Sequence, residues 1–465
     1  SMPDAAVGVQ QASPAVAFEI AIEVAVRVVM GAILAHVLTN VDGSFTINAL
    51  ILIDPRSPMS DRPVLVIGAG PQGLAAAAHL LERGLEPVVI ERGASAAAAV
   101  AEWGHVRLFS AWPELVDAAG RRLLEGSGWV APTAGYPTGA EWVDGYLLPL
   151  AAALGDRVRL GREVVSVTRR RRDKMIESGR QEQPFIIHTV DVDGREERIE
   201  ARAVIDSSGT WSTPAPAGAD GVMALGEAAA SRVSYRIPTD VEAFAGHHVV
   251  VVGAGHSAKH AVILLSELVR RAPGTTVTWV LRRPSMSAVF GGGDHDDLPQ
   301  RGALGSKASR AVRLGQVALE TGFRITEIRD ADDGVTVVAD DGRSIAGVAH
   351  VIALTGFRPD FSMLSEVRLA LDPAMDAVAG IAAEIDPNRH SCGSVGATGA
   401  AELAQPEAGL FIVGAKSYGR APTFLALTGY EQVRSVAAHL AGDHEAAVSR
   451  QLELPETGVC GGSGA

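Results

Sequence analysis

Cysteine is nearly absent. Only Cys392 and Cys460 occur in 465 residues, and no C-x-x-C pair exists. That excludes zinc ribbons and a dithiol motif of the C-x-x-C type, and it fits a reducing cytoplasm. A basic excess is also absent: 41 Lys and Arg stand against 54 Asp and Glu, a formal charge of −13. Nucleic-acid binding needs a basic face to replace counterions, so nucleic acid is not an expected partner. The one basic run, Arg169 to Arg172 with Lys174, lies between two strand-like stretches without aromatic neighbours and reads as a solvated loop. No long uncharged apolar run occurs either. The stretch from Val16 to Leu38 is broken by Glu19, Glu23 and Arg27 and has no basic leader, which argues against a signal sequence and a membrane span.

What is present is ample apolar material, 47% of the chain, enough for two or three domains of roughly 100–200 residues each. Residues 1–58 read as an extension. Phe18 to Val28 alternate with period two like a strand, yet Glu19, Glu23 and Arg27 also fall on one helical stripe. The extension is assigned no chemistry; a packing surface or a homodimer contact are the roles left open to it.

Pro63 to Ile67 is a short apolar run of the kind that forms a parallel strand covered on both faces. It enters Gly68-Ala69-Gly70-Pro71-Gln72-Gly73, a helix-like stretch from Leu74 to Arg83, and a second strand that ends at Glu91. Gly68 permits the tight turn, Gly70 admits a pyrophosphate, and Gly73 allows helix and strand to approach. The helix N-terminus offers free N–H groups to phosphate, and Glu91 is spaced to accept from a ribose. The pattern recurs at His248 to Val252, Gly253-Ala254-Gly255-His256-Ser257-Ala258, a helix from Lys259 to about Arg270, and a strand from Thr276 to Leu281. This second strand ends in Arg282-Arg283 instead of an acid. Guanidinium groups pair with a 2′-phosphate where a carboxylate would repel it. The contrast predicts FAD or an NAD-like adenosine at the first loop and NADPH at the second.

Each loop is followed by a hairpin around Asp-Gly (Asp193-Gly194, then Asp341-Gly342) and by an apolar strand running into Gly209 or Gly356. A last strand, Leu410 to Val413, enters Gly414 and is followed by a helix from Gly429 to Leu440; it is left over after both repeats and is expected to complete the first domain. The expected architecture is α/β, with two Rossmann-like dinucleotide-binding domains, the NADPH domain inserted in the FAD domain. The expected boundaries are 59–240 and 351–445 for the FAD domain, 241–350 for the NADPH domain, and 446–465 for a tail.

These residues resemble the two-dinucleotide-binding flavoproteins, and most closely the class B flavoprotein monooxygenases, over residues 60–440. The marks are Gly68 to Gly73, Gly253 to Ala258, and Leu354-Thr355-Gly356-Phe357-Arg358-Pro359-Asp360, which is similar to the family's A-T-G-Y-x-P-D. The resemblance implies FAD in the outer domain, NADPH in the inner one, and hydride transfer to the flavin. It implies that Gly209 and Gly356 lie near the cofactor, and that Gly414 and a helix starting near Thr428 approach the flavin. Two departures stand out. No histidine lies between Gly209 and Phe244, where the monooxygenase fingerprint F-x-G-x-x-x-H-x-x-x-[FY] belongs. The Gly-Asp that often precedes the final helix is replaced by Gly414-Ala415-Lys416.

Lys416, Tyr418 and Arg420 are the candidate catalytic residues, from their place after the last strand; phosphate, ribityl or surface contacts are the alternative. His256 and Ser257 are expected to contact pyrophosphate or to pack. Trp103, His105, Arg107 and Trp112 are candidates to line the flavin or substrate cleft, with core packing the alternative reading. A redox pair of Cys392 and Cys460 lacks supporting spacing, and the run Gly291 to Asp297 reads as a loop and not as a metal site. The expected activity is reduction of FAD by NADPH with oxygen and a small organic substrate as acceptors. A reductase with another acceptor and a redox-sensing flavoprotein are the alternatives.

Overall fold

The computed structural model describes residues 58–285, 289–290, 299–331, 334–388, 396–421 and 424–451. The N-terminal extension, the run Gly291 to Asp297 and both cysteines lie outside the described residues. Strands β1 (Val64–Ile67), β2 (Pro87–Ile90) and β3 (Val158–Arg159) open a first parallel sheet. An antiparallel hairpin sheet follows, β4 (Arg162–Arg169), β5 (Phe185–Asp191) and β6 (Glu196–Ala201), before β7 (Ala203–Asp206) returns beside β1. The chain then enters a second parallel sheet with β8 (Val233–Ser234), β9 (His248–Val252), β10 (Thr276–Val280) and β11 (Ala318–Glu320). A second antiparallel sheet, β12 (Ile325–Ala331), β13 (Gly334–Ala339) and β14 (Ser344–Val348), precedes β15 (His350–Ala353). Finally β16 (Leu410–Ile412) pairs with β7, so the last strand closes the first sheet.

The two parallel sheets have orders β16-β7-β1-β2-β3 and β11-β10-β9-β15-β8. In each, the strand entering the glycine loop has its successor on one side and the returning strand on the other. The crevice at the carboxyl ends of such strands is where open α/β sheets bind ligands. Strand pairing carries the second domain back to Val233 and forward to Ala353, beyond the expected 241–350.

Both sheets are covered on two faces, as their unbroken apolar strands require. Every residue of β1 and β7 is buried, and each fully buried Val, Leu or Ile contributes about 1.5–3 kcal/mol. Helix α1 (Pro71–Glu82) is alanine-rich and buried from Gly73 to Leu80. It packs against the long C-terminal helix, Ala426–Leu440, as well as against the sheet. Helices begin earlier than their apolar patterns suggest: at Pro71 and not Leu74, and at His256 and not Lys259. In both cases the second glycine of the loop is the N-cap, so the helix starts at the next residue. Among the described residues, no helix is long and apolar enough to cross a membrane.

The basic run is a correction. Arg169 is buried, not solvated: its Nε donates to Glu407 Oε1 at 2.7 Å and its guanidinium lies 3.6 Å from the Phe185 ring centre. Arg180 donates to the other oxygen of Glu407 at 2.8 Å. This triad ties the first hairpin sheet to the segment that leads into β16, while Arg171 and Lys174 remain exposed.

Candidate cofactor and substrate sites

At the first loop, Gly68 has φ +95°, and a Cβ on Gly73 would stand 1.9 Å from the Gly68 carbonyl oxygen. Those two glycines are required by the protein itself. Gly70 is different: its φ of −77° suits any residue, and nothing lies within 4 Å of where its Cβ would be. The open space in front of the helix N-terminus is what a pyrophosphate needs, and the absent side chain keeps it clear. Glu91 closes the loop from the neighbouring strand. Its carboxylate accepts from Ala69 N at 2.8 Å and from Gly93 N at 2.7 Å.

The second loop repeats this geometry. Gly253 has φ +125° with the Leu354 carbonyl 2.2 Å from its would-be Cβ, and Gly255 again faces open space at φ −76°. Ala258 is fully buried, so the helix here stands far enough off to admit a methyl group. A cavity of about 830 Å³ opens in front of this loop. Among the described residues, Lys259, Arg282, Arg283, Arg358 and Arg420 line it, against one carboxylate, Asp220. An anionic ligand suits that balance.

A second cavity, about 400 Å³, lies where both glycine-loop helices and the C-terminal helix begin. Pro71 and Gln72, His256 and Ser257, and Leu425 and Ala426 all reach it. Its wall is aromatic: Trp103, Phe109, Trp142, Trp211, Tyr235, Phe357 and Phe424. Arg107 and Arg236 supply charge, and among the described residues no carboxylate lines it. Arg236 stacks 4.0 Å from the Trp211 ring centre, and Trp211 Nε1 donates to Glu102 Oε2 at 2.7 Å. Burial lowers the His260 imidazole to about 4, with His105 and Lys307 adding to the shift, so this lining residue is neutral near pH 7. His256, Ser257, Leu354 and Phe357 line both cavities, so the two spaces adjoin.

Of the other residues singled out from sequence, Gln72 packs its side chain against Gly414 and Gly429; a Cβ on Gly429 would come within 2.5 Å of Gln72 Cγ. Gly414 (φ +70°) donates its N–H to Gln432 Oε1 at 2.8 Å. Gly209 and Gly356, both at positive φ, sit on the two connections between domains, where Ala215 N donates to the Gly356 carbonyl. Thr428 is buried in the first turn of the C-terminal helix. Arg107 lines the aromatic cavity near Glu141, and Trp103 lines it too; Trp112 packs under Gly145.

The three candidate catalytic residues do not converge. Lys416 is 1% exposed and pairs with the fully buried Asp206 at 2.7 Å, and it also donates to Ser208 Oγ. This ion pair fastens β16 to β7 behind the first glycine loop. Tyr418 is buried beside Phe424, and burial, opposed in part by Thr428, raises its phenol well above the usual range. Arg420 lines the nucleotide-sized cavity, held by Asp376 at 2.6 Å. Sequence reading missed Asp206, Glu227, His260 and most of the aromatic wall.

The pyridine nucleotide-disulphide oxidoreductase family model matches residues 65–378, more than half of the chain. No curated protein matches in sequence. Among solved structures, a bacillithiol disulfide reductase from Bacillus cereus is similar at TM-score 0.62 and 20% identity, over 82% of this chain and 99% of that one. A cadaverine monooxygenase from Erwinia amylovora, solved bound to FAD, is similar at TM-score 0.58 and 16% identity, over 85% and 98%. A flavin monooxygenase from Stenotrophomonas maltophilia follows at TM-score 0.52 and 21% identity, over 83% and 99%. At such identities the likeness is one of fold, the two-domain flavoprotein fold expected from the repeated loops. With the family match spanning both glycine loops, the chain belongs to the pyridine nucleotide-disulphide oxidoreductases, and its cofactors are FAD and NADPH.

Proposed function

We propose that FAD occupies the first glycine loop, that NADPH occupies the second, and that the chain is a monooxygenase-like enzyme acting on a small organic substrate. When bound, FAD takes a hydride from NADPH and passes electrons to an acceptor. The side chains then have positioning and electrostatic work. Gly70 and Gly255 leave room for the two pyrophosphates, with the N–H groups of the following helices aimed at them. Glu91 holds the first loop in place through Ala69 N and Gly93 N, and its remaining lone pairs would accept from a ribose hydroxyl. Arg282 and Arg283 read the 2′-phosphate. The start of the C-terminal helix favours negative charge at the aromatic cavity, while neutral His260 adds none.

The observation that carries this reading is the aromatic cavity between the three helix starts, walled by Trp103, Phe109, Trp142, Trp211, Tyr235, Phe357 and Phe424. It suits an apolar substrate meeting the reduced cofactor. Oxygen uptake and hydrogen peroxide release during NADPH oxidation test it directly. A substrate that raises oxygen uptake while suppressing peroxide supports monooxygenation. Turnover that is indifferent to oxygen but sustained by a quinone or a disulfide sinks it in favour of a reductase. That second reading is favoured by one feature, the missing histidine between Gly209 and Phe244.

A further inference from the structure

Between the two domains the chain makes a tight turn at Gly218–Gly221 on the rim of the larger cavity. Gly221 N donates to the Gly218 carbonyl, and Gly221 has φ +81°. A Cβ on Gly218 would meet the Val222 carbonyl at 2.1 Å, so neither glycine tolerates a side chain. Below the turn sits Glu227, 2% exposed. Its carboxylate accepts from Ala217 N at 2.7 Å, Gly218 N at 3.2 Å, Ala224 N at 2.8 Å and the Tyr235 hydroxyl at 2.8 Å. A buried carboxylate satisfied by four donors is a rigid anchor, because losing any of them leaves charge uncompensated. Ala219 N is also tied, to the Ile325 carbonyl.

Two arginines from different parts of the chain rest on this one turn. Arg282 Nη1 donates to the Ala219 carbonyl at 3.5 Å, and Arg358 Nη2 donates to the Gly221 carbonyl at 2.5 Å. The acceptors are two residues apart on one turn, and both arginines line the same cavity. Each uses one N–H on the turn and keeps others for a ligand. Arg420, itself paired with Asp376, acts on Arg358 from the same cavity; burial and that like charge lower the Arg358 pKa, opposed in part by Asp376. Cations gathered this way are relieved by a compact dianion, and the planar fork of arginine matches phosphate oxygens.

We propose that Arg358 is a third reader of the nucleotide's 2′-phosphate, supplied from the connection between domains, with the Gly218–Gly221 turn as the shelf that aims it and Arg282 at the same phosphomonoester. This rests on the reading that the larger cavity takes NADPH. It makes nucleotide choice depend on a residue that returns from β15 towards the first domain, more than seventy positions beyond the arginine pair at the strand end.

The test is calorimetric binding of adenosine 2′,5′-bisphosphate and of AMP to flavin-loaded wild type, Arg358→Met, Arg358→Lys, and the Arg282→Ala, Arg283→Ala pair. Arg358→Met is expected to lower the ratio of bisphosphate to AMP affinity about tenfold to a hundredfold. Arg358→Lys, which keeps the charge but cannot serve turn and phosphate together, should fall between; it stands in for the methionine variant if that one fails to retain flavin. An unchanged ratio in the Arg358 variants, with a reduced one in the arginine-pair variant, overturns the inference alone. Equal loss of both ligands also overturns it, because Arg358 would then act on the shared 5′-phosphate or on the fold. A wild type that does not distinguish the two ligands overturns the underlying reading.

Discussion

The two glycine loops share a backbone and differ in what surrounds it. The first is closed by a carboxylate, Glu91, already bonded to two of its N–H groups, and its helix comes so near that Gly73 cannot carry a methyl group. The second is open, its neighbouring strand ends in two arginines, and its helix accommodates Ala258. The same fold thus builds one site that excludes extra charge and one that collects it. On the function proposed above, backbone makes a dinucleotide site and the end of the next strand decides which dinucleotide it takes.

Paired substitutions separate the loops. Gly70→Val and Gly255→Val both place a side chain into open space, so both proteins should fold. The first should be purified colourless; the second should be yellow but not bleached by NADPH. A flavin-loaded Gly70→Val protein would contradict the assignment of the first loop. At the third position the expected effects are unequal. Gly73→Ala drives a carbon against the Gly68 carbonyl and should lose flavin and stability together, whereas Ala258→Gly should cost only about 0.5–1 kcal/mol of helix stability. Thermal unfolding of the two variants checks this.

Behind the first loop, Lys416→Met strands the buried Asp206 carboxylate. Breaking such a pair costs about 3–5 kcal/mol, and adding Asp206→Asn should recover part of it in denaturant titrations. If Lys416→Met leaves stability unchanged and alters only flavin reduction, the ammonium acts on the cofactor instead. At the second loop, Arg282→Ala with Arg283→Ala should lose about 1.5–3 kcal/mol of preference for NADPH over NADH, roughly ten- to a hundredfold, while keeping FAD. The smallest effect concerns His260. Its folded pKa, about 4, lies below the ordinary 6.5, so the unfolded chain binds more protons between those values. Stability should therefore fall as pH drops through that window, and the fall should be shallower in His260→Gln.

Much of this was legible in sequence because it is local. A strand, three spaced glycines, a helix and the residue at the next strand end span about thirty positions, and each follows from backbone geometry. The return of β16 to the first sheet was legible too, as a strand left over after two repeats. What escaped depends on distant partners. Arg169 reads as solvated beside Arg170 and Arg171, and its charge partner, Glu407, lies 238 positions away. Lys416 reads as a free cation until Asp206 is placed beside it. The aromatic wall draws Phe109, Trp142, Trp211, Tyr235 and Phe424 from separate segments, and no spacing announces that they meet.

The most direct test of the central claim, that NADPH at the second loop reduces FAD at the first without a protein thiol, is an anaerobic titration of the flavin-loaded protein with NADPH, counting thiols before and after. The account predicts complete bleaching at a single equivalent per flavin, no new thiols, and the same curve for Cys392→Ser with Cys460→Ser. Bleaching that needs a second equivalent, with two thiols appearing in the wild type and neither effect in the double variant, would contradict it.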